Sequence, residues 1–444
     1  MNPISSTEQV LELAKQERIK FLRLQFTDIL GAIKNVEVPE HQFQRALDGQ
    51  VVFDGSSIEG FFRARESDMI LLPDPATFRV FPWEDRKGKV ARMFCDVRLP
   101  DGLPFPGCPR TALKDAVQVA LNRGFHLKVG TEVEFFLFER GSDGKATITT
   151  HDAGGYFDLA PVDRGEEARR DMVSTLERMG FQVEGAHHEV APGQHEIDFK
   201  LADAIEAADI IVTCRFVVRK IAVEHGLHAT FMPKPLFGQD GSGLHLYQAL
   251  YQEGQNAFFD PKGKYQLSPL ALHYIAGVLA HARGMVVITN PLVNSYKRLV
   301  PDFEAPTHVA WSEVNRSPLI RLSARRGEGT LCEFRLPDPA CNPYLCLAII
   351  LHSGMDGIRQ GIQPAPPVNK DIFGMSQRER SRLRIQTLPK DLSEAIRAFE
   401  KDKFLQSALG AHISNHIIEA KRSEWNEYIG QVHPWEIDRY LASY

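Results

Sequence analysis

Strongly apolar, strand-like segments of this sequence carry acidic side chains at alternate positions. In KVGTEVEFFLF, Glu132 and Glu134 alternate with Val133 and Phe135. Because residues two apart in a β-strand point to the same face, both carboxylates share one face of the strand. Two neighbouring carboxylates on an apolar strand repel each other and lose hydration, so they require a cation, a shared proton or water. Taken alone, this pair is also compatible with a solvated strand face.

Other apolar segments repeat this arrangement. In HHEVAPGQHEIDF, Glu196 and Asp198 share one strand face, and Glu189 precedes them closely. His245 lies within GSGLHLY, and Glu333 alternates with apolar residues in LCEFRL. Together these segments predict strands of one sheet that point ligands into a shared cavity.

The predicted ligand set is rich in carboxylates, with one imidazole and no thiolate. Oxygen ligands of this kind suit hard cations such as Mg²⁺ or Mn²⁺, whereas a structural zinc site uses mainly thiolate and imidazole. We therefore expect a dinuclear or trinuclear cluster of divalent metal ions.

Arginines concentrate in the segments YKRLVPDFEAP, NRSPLIRLSARRG and EFR. Guanidinium groups match carboxylate and phosphate oxygens in bidentate geometry. Because the whole chain has a net charge of −5, a local cluster points to a small anionic substrate rather than nucleic acid. Scattered surface arginines are the alternative. With no GxxxxGK[ST] motif, the cluster and the metal carboxylates predict phosphoryl transfer without a P-loop. The arginines concerned are Arg298, Arg316, Arg321, Arg325, Arg326 and Arg335.

Length and composition indicate a globular, intracellular protein. The 444 residues exceed what one core usually supports, and 43% apolar with 25% charged residues is an ordinary globular composition. The 6 cysteines form no CxxC pair and, without a secretory signal, are expected to be reduced. Since no long apolar run is present, we expect a cytoplasmic location and no binding to membranes or nucleic acid.

A segment dense in proline and glycine divides the chain. Before it, helix, strand and turn patterns alternate, which predicts a small α+β domain over residues 1–105. Ser5, three residues before Glu8, matches a capping box for the first helix. Beyond the boundary, helical and strand-like patterns alternate, and the chain becomes mostly helical from Asn342. The second predicted domain covers residues 106–444.

Many ordered motifs make the chain similar to one family over essentially its full length. They are FDGSSIEGF (53–61), GTEVEFF, GGYFD, HHEVAPGQHEID, HGLHATFMPKP, GSGLH, KRLVPDFEAP, NRSPLIR and EFRLPDPACNPYL. The chain thus resembles bacterial type I glutamine synthetase of the shorter alpha kind. This resemblance implies an α+β fold, with a small N-terminal β-grasp domain and a catalytic domain whose antiparallel sheet forms a half-barrel flanked by helices. It also implies a homo-oligomer, a dodecamer of two hexameric rings, with active sites between neighbours.

The resemblance further implies ATP as co-substrate and two or three Mg²⁺ or Mn²⁺ ions per site. The first metal would organise the site, and the second would bridge the ATP phosphates and the γ-carboxylate of glutamate. The implied ligands are Glu134, Glu189 and Glu196 for the first metal, and Glu132, His245 and Glu333 for the second.

Substrate contacts follow from the same resemblance. Arg298, Arg335 and the backbone of Gly241 would hold glutamate. Arg316 and Arg321 would face the transferring phosphate. Arg316 and Arg335 are thereby candidates for catalysis.

The ammonia half of the reaction is implied to involve a neighbouring subunit. Asp54 from that subunit, beside Ser57, would bind ammonium together with Tyr156 and Glu189, and would take its proton. Glu304, on a flap, would shield the acyl phosphate from water and accept a second proton.

The chain departs from the family pattern around the nucleotide. The family usually has an aromatic residue at Leu201, His or Asn at Tyr247, Ser at Ala249 and Arg at Leu331. Near glutamate, Asp240 stands where Asn is usual. These differences predict weaker nucleotide binding than the family pattern implies.

Regulation is expected to differ from that of the beta kind. The segment KDIFGMSQRERSR has Phe373 and no nearby tyrosine, which argues against adenylylation. Arg63 corresponds to the arginine linked to glutamine feedback in the alpha kind. A transcription regulator is a further possible partner implied by this resemblance.

The leading interpretation is an ATP-dependent glutamate–ammonia ligase working through γ-glutamyl phosphate. One alternative is a γ-glutamylamide ligase that uses a small amine. Another is a glutamine synthetase-like paralogue with a weakened nucleotide site that acts in regulation.

Overall fold

The computed structural model describes residues 4–58, 68–83 and 88–444. Within them, strands before residue 100 form one sheet and most strands after residue 125 form a larger one, while His308–Val309 and Gln386–Thr387 pair as a separate two-stranded sheet. The larger sheet curls into a half-barrel flanked by helices, as the sequence predicts.

The first sheet is mixed. Its order is β2-β1-β6-β4-β3, with β5 on the edge of β6, and β1 runs parallel to β6 while the other pairs are antiparallel. The helices and strands of this part are α1 (Thr7–Gln16), β1 (Ile19–Thr27), β2 (Ile33–Pro39), α2 (Phe43–Leu47), β3 (Val51–Asp54), β4 (Asp68–Pro73), β5 (Arg79–Val80) and β6 (Lys89–Arg98).

Two turns show how local chemistry sets these elements. The N-cap of α1 is Ser6, whose hydroxyl accepts from the Gln9 amide, so the capping residue predicted at Ser5 is wrong by one position. Gly31 closes the β1–β2 turn at φ 94°, a conformation that other residues rarely adopt. A Cβ there would lie 3.0 Å from Asn342 Cα, so the turn also packs tightly against the second part of the chain.

The second sheet is built around one long strand. Its order is β15-β16-β17-β12-β7-β10-β9, with β8 and β11 also on β7 and β13 on β12; among the described strands of this sheet, only the β15–β16 pair is parallel. The larger elements from residue 109 to 256 are α3 (Pro109–Leu121), β7 (His126–Arg140), β8 (Ala146–Thr150), α4 (Glu166–Arg178), β9 (Val183–His188), β10 (Gln194–Asp203), α5 (Ala204–Glu224), β11 (Leu227–Thr230), β12 (Leu244–Gln252) and β13 (Gln255–Asn256).

The remaining chain is mostly helical, as predicted. Its elements are α6 (Pro269–Thr289), α7 (Ser295–Arg298), β14 (His308–Val309), β15 (Trp311–Ser312), β16 (Ile320–Leu322), β17 (Cys332–Phe334), α8 (Pro343–Gln360), α9 (Gln377–Arg382), β18 (Gln386–Thr387), α10 (Leu392–Lys401), α11 (Lys403–Leu409), α12 (Ala411–Ile429) and α13 (Pro434–Tyr440).

Helix α6 has the length and apolar composition of a membrane span, but most of it is buried inside the protein. It packs on α8 so closely that a Cβ on Gly277 would lie 2.2 Å from the Ser353 carbonyl oxygen. Its apolar character is therefore explained by its place in the core. The six cysteines are also buried, and all are free thiols.

A buried arginine joins the two parts of the chain. Arg110, at the start of α3, forms ion pairs with Asp74 (2.9 Å) and Asp96 (3.1 Å) next to the first sheet. It also pairs with Asp209 of α5 at 3.1 Å, and Tyr344 of α8 donates to the same carboxylate at 2.5 Å. Because the guanidinium is almost fully buried, its removal leaves Asp209 without this ion pair, whereas Asp74 and Asp96 still pair with Lys114.

We expect Arg110→Met to lower the free energy of unfolding by about 3–5 kcal/mol, the cost of breaking a buried ion pair from one side. The matched control is Arg170→Met, which removes the exposed pair with Glu166 on α4 and is expected to cost about 0.3–0.5 kcal/mol. Urea unfolding measures both. Equal losses in the two variants would contradict the role assigned to Arg110.

Candidate active site

Strand register brings the predicted acidic residues together. In the β7–β10 pair, Glu134 lies opposite Glu196 and Glu132 lies opposite Asp198. In the β7–β12 pair, Glu132 lies opposite His245. Side chains directly opposite each other on one face are close neighbours. The alternating pattern on each separate strand thus becomes a single cluster on one face of the sheet.

Distances within this cluster are short. His245 Nδ1 lies 2.9 Å from Glu132 Oε2 and 3.9 Å from Glu333 Oε1, and His245 Nε2 lies 3.7 Å from Glu134 Oε1. Glu196 Oε1 lies within 4.8 Å of ligand atoms of Glu132 and His245. All six predicted metal ligands, Glu132, Glu134, Glu189, Glu196, His245 and Glu333, therefore lie in or against one cavity of about 320 Å³.

Burial makes the carboxyl groups of Glu134 and Glu196 difficult to ionise. Desolvation and the nearby Glu189 raise the pKa of Glu134 to about 8, although Arg298 opposes the shift. Desolvation, together with Glu134 and other neighbouring carboxylates, also raises the pKa of Glu196 well above its usual range. The pKa of His245 is lowered far below its usual value, chiefly by burial and by Arg335. The imidazole is therefore neutral and has a lone pair to offer.

The donor set fits a hard divalent cation. It consists of carboxylate oxygens and neutral imidazole, the ligands that such ions prefer. Asp198 Oδ1 is buried without a hydrogen-bond partner among the described residues, and desolvation beside Glu132 raises the pKa of Asp198 to about 6. A bound cation would give Asp198 Oδ1 a partner and would also stabilise the ionised form of this carboxylate.

Sequence reasoning left three polar residues of the cavity without a role. His187 Nε2 lies 2.9 Å from Glu189 Oε1 and 3.6 Å from Glu196 Oε1. Gln194 Nε2 donates to Glu134 Oε2 at 2.9 Å, and Asp198 also lines the cavity. The alternation that puts Gln194, Glu196 and Asp198 on one face of β10 was a usable signal for two of these residues, whereas His187 is brought in by strand pairing, because it lies opposite Glu196 on β9.

Two buried arginines, Arg298 and Arg335, line the same cavity. Arg335 donates to Glu333 Oε1 at 2.5 Å, and Arg321 donates to the other oxygen of that carboxylate. Arg298 donates to the carbonyl oxygens of Leu336 (2.8 Å) and Arg335 (3.1 Å). Fixed positive charge therefore faces the carboxylate cluster at the positions predicted for an anionic substrate.

Gly243 permits this close arrangement. A Cβ at this position would lie 2.8 Å from His245 Nε2 and 2.9 Å from both Arg298 and Glu134. Its amide donates to Glu134 Oε2 at 2.9 Å. Gly241 also lines the cavity, and its carbonyl accepts from Gln194 at 3.3 Å. Backbone thus occupies space that no side chain could share with these groups.

Exposed residues surround the cavity entrance. Tyr156 is 43% exposed and stacks beside Phe157 at 3.9 Å between ring centroids. Arg316 and Glu304 lie 3.9 Å apart, and the carbonyl of Glu304 accepts from Arg335 at 3.4 Å. Glu304 has a φ of 43°, a strained value for this residue type. The segment that carries Glu304 therefore contacts the buried wall through backbone while its side chain reaches outward.

Asp54 and Ser57 are not brought to this cavity. They lie at the end of β3 and in the turn after it, where Asp54 Oδ1 accepts from the Ser56 amide at 3.0 Å and Ser57 Oγ donates to the Asp54 carbonyl at 3.0 Å. Neither lines the cavity within one chain. Arg63 lies outside the described residues.

The predicted nucleotide positions lie in different environments. Leu201 is 37% exposed at the end of β10, close to Tyr247 across Gly130. Tyr247 Oη accepts from Arg321 at 3.2 Å. Ala249 is fully buried, so its methyl group offers no surface to a ligand, contrary to the expectation for that position.

Comparisons with known proteins agree over the whole chain. The model of the glutamine synthetase β-grasp domain matches residues 18–100, and that of the glutamine synthetase catalytic domain matches residues 106–440. A glutamine synthetase of Thermus thermophilus is 57% identical over 98% of this chain and 99% of that protein. A solved structure described as a GmaS/ADP complex has a TM-score of 0.88 and 32% identity, covering 98% of this chain and 99% of that chain. Plasmodium falciparum glutamine synthetase, solved by cryo-electron microscopy, has a TM-score of 0.87 and 25% identity, covering 99% and 100%.

The repulsion within the carboxylate cluster leads to a test in which one substitution should stabilise the metal-free protein and weaken the stabilisation by metal. We expect Mg²⁺ or Mn²⁺ to raise the melting temperature. At a metal concentration one hundred times the dissociation constant, binding adds about 2.7 kcal/mol to the free energy of unfolding. Glu196→Gln should raise the melting temperature of the metal-free protein, since glutamine is buried neutral without the proton uptake that the raised pKa of Glu196 imposes on folding at neutral pH, and should abolish most of the gain from metal.

Scanning calorimetry with and without chelator measures both effects. Glu167→Gln, at an exposed position on α4, is the matched control and should respond to metal as the unmodified protein does. A metal-dependent gain of equal size in Glu196→Gln would show that ions bind elsewhere.

Proposed function

Because the chain belongs to the glutamine synthetase family and joins ammonia to glutamate to make glutamine, we propose that the carboxylate cluster and the buried arginines facing it form its active site. The main support is the cavity itself, which is lined by the carboxylates of β7 and β10, by His245 of β12 and by Arg298 and Arg335. One side suits divalent cations, and the other suits a carboxylate substrate. The enzyme is a ligase dependent on ATP and divalent metal ions, as its family is.

We propose Glu134, Glu189 and Glu196 as ligands of one metal ion and Glu132, His245 and Glu333 as ligands of another. Bound there, Mg²⁺ or Mn²⁺ would neutralise charge on the phosphate oxygens during phosphoryl transfer. Glu333 already accepts from two arginines, so it would link the metal side of the cavity to its cationic side.

Glutamate is proposed to bind on the cationic side. Arg298 and Arg335 are buried, and the backbone of Gly241 borders the same space. A carboxylate held by fixed guanidinium groups has its remaining atoms oriented, which is how binding energy lowers the entropic part of a barrier. The γ-carboxylate would then face the transferred phosphate, with Arg321 and Arg316 placed to stabilise the charge on its oxygens.

Ammonium is proposed to bind at the outer edge of the cavity. Glu189 and the ring of Tyr156 lie there, and burial and the charge of Glu189 raise the pKa of Tyr156. The phenol is therefore neutral and can accept a hydrogen bond from an ammonium ion. We propose that Asp54 of a neighbouring subunit, beside Ser57, completes this site and removes a proton, and that Glu304 excludes water and accepts a second one.

This division of the site implies an oligomer. We propose a dodecamer of two hexameric rings, in which residues 1–105 of one subunit meet the cavity in residues 106–444 of the next. The alpha kind, the regulatory role of Arg63 and the binding of a transcription regulator are part of the same proposal. The free, buried cysteines support a reducing compartment, the cytoplasm.

ATP is proposed to bind at the end of the cavity near Tyr247 and Leu201. The absence of an aromatic side chain at position 201 leaves less stacking surface for a base than the family pattern provides. The GmaS structure that this chain resembles over 98% of its length is a complex with ADP, which supports a nucleotide site in the same fold. The interpretation as a paralogue without catalytic activity is not favoured by the strong similarity to glutamine synthetases.

The unmodified protein is expected to release phosphate and form glutamine only when glutamate, ammonium, ATP and divalent metal are all supplied. Arg335→Gln should raise the KM for glutamate about 10–100-fold, because charge-assisted hydrogen bonds contribute about 1.5–3 kcal/mol each. Arg325→Gln, in the same arginine-rich segment but at an exposed position, is the control and should change KM less than about twofold. A coupled phosphate-release assay measures these values, and equal effects of the two variants would remove Arg335 from the substrate site.

The shared site can be tested by mixing two inactive variants. Asp54→Ala and Arg335→Ala proteins, each inactive alone, should regain activity after subunit exchange, because some interfaces then combine two intact halves. Exchange is followed by mass spectrometry of differently tagged subunits. Proven exchange without recovery would place Asp54 outside the neighbouring site.

A further inference from the structure

One buried carboxylate fixes both ends of the loop that carries Tyr156. This loop runs from the end of β8 to the start of α4. Asp152 Oδ1 accepts from the amide of Gly154 at 3.4 Å, and its Oδ2 accepts from the amide of Arg164 at 3.2 Å. Two residues near the opposite ends of the loop are therefore tied to a single side chain, and that side chain is fully buried.

The same carboxylate ties this loop to the strands that carry proposed metal ligands. Asp152 Oδ1 also accepts from the amide of Gly193 at 2.9 Å, just before β10. His188, the last residue of β9, lies 3.3 Å from Asp152 through Nε2 and 2.7 Å from the Glu189 carbonyl through Nδ1. Since a carbonyl only accepts, the Nδ1 atom of His188 carries a proton. The chain of contacts from Asp152 to Glu189 is therefore continuous.

A second contact holds the middle of the loop. The amide of Phe157, next to Tyr156, donates to the carbonyl of His188 at 3.1 Å. The loop is thus fixed at both ends by Asp152 and at its centre by the residue that Asp152 holds. Exposure of the Tyr156 ring contrasts with the complete burial of this anchor.

Metal binding does not explain the buried cluster around Asp152. Ligand atoms of His151, Asp152, Asp163 and His195 lie within 4.8 Å of one another. Arg169, however, lies 2.8 Å from His195 Nδ1. Because guanidinium only donates, this Nδ1 accepts, and in the neutral ring the proton sits on Nε2, which cannot then ligate a metal. The adjacent guanidinium charge also disfavours a cation.

We propose that Asp152 is a positioning residue for the ammonia half of the reaction, which holds the Tyr156 loop in register with Glu189. The proposal rests on the proposed function, in which Tyr156 and Glu189 contact ammonium. The proposed glutamate contacts Arg298 and Arg335 come from other segments that Asp152 does not touch. Loss of Asp152 should therefore separate the two substrates kinetically.

The test is steady-state kinetics with each substrate varied in turn, on Asp152→Asn and Asp152→Ala. The asparagine variant keeps one oxygen for the Gly193 amide but presents an amide group to Arg164 and loses the charge facing His188. We expect the KM for ammonium to rise about 10–100-fold, as small misplacements of reacting groups do, with a larger effect for alanine. The KM for glutamate should change less than about twofold.

Asp356→Asn is the matched control. Asp356 is buried on α8 and lies 3.3 Å from the Nε2 of His281, the same spacing as the pair of Asp152 with His188, but it is remote from the cavity. It should lower the melting temperature to a similar extent and leave the KM for ammonium unchanged. This comparison separates a positioning role from a general loss of stability. If the alanine variant does not fold, the asparagine variant still provides the measurement.

The possible failures are distinguishable. No glutamine formation by the unmodified protein would refute the proposed function itself. An active unmodified protein, with Asp152→Asn showing an unchanged KM for ammonium or equal increases for ammonium and glutamate, would overturn the positioning role alone.

Discussion

Repulsion between buried carboxylates is the constraint on which the rest of this structure depends. Glu134 and Glu196 face each other across two antiparallel strands, and their burial raises the pKa of both groups. Such an arrangement costs folding free energy unless positive charge compensates it. The fold supplies that charge in two ways, through arginines that are part of the chain and through a donor set suited to divalent ions.

The cationic wall is as constrained as the acidic one. Arg298 uses two of its five N–H donors on backbone carbonyls, so its position is set by main chain rather than by a flexible partner. Gly243 lets the two walls approach, since any side chain there would collide with both. Charges of opposite sign that the fold already holds in place can stabilise the charge that develops during a reaction without rearranging, which is the main source of electrostatic catalysis.

Much of this site could be predicted from single strands, and the rest depended on how strands pair. Alternation within β7 was enough to put Glu132 and Glu134 on one face. That Glu132 lies opposite both Asp198 and His245 is a matter of register, which no local pattern encodes. Ala249 shows that accessibility is also not predictable from a single strand, because the position of this residue in the sheet buries it completely. The cap of α1 was displaced by one residue, since either of two adjacent serines could serve.

The inner part of the cavity is formed by buried residues of strands, whereas its outer edge is formed by exposed residues of connecting segments. The proposed metal ligands Glu132, Glu134, Glu196, His245 and Glu333 come from strands and are mostly buried, so strand register fixes them. Tyr156 and Glu304 come from connecting segments, and Tyr156 and its neighbour Phe157 are 43% and 62% exposed. Exposed aromatic rings at the edge of a polar cavity gain stability only when another surface covers them. In the proposed function, a single chain would therefore hold the phosphoryl-transfer half of the site, and contact with a neighbouring subunit would complete the ammonia half, so that assembly would be a condition of the second chemical step rather than of the first.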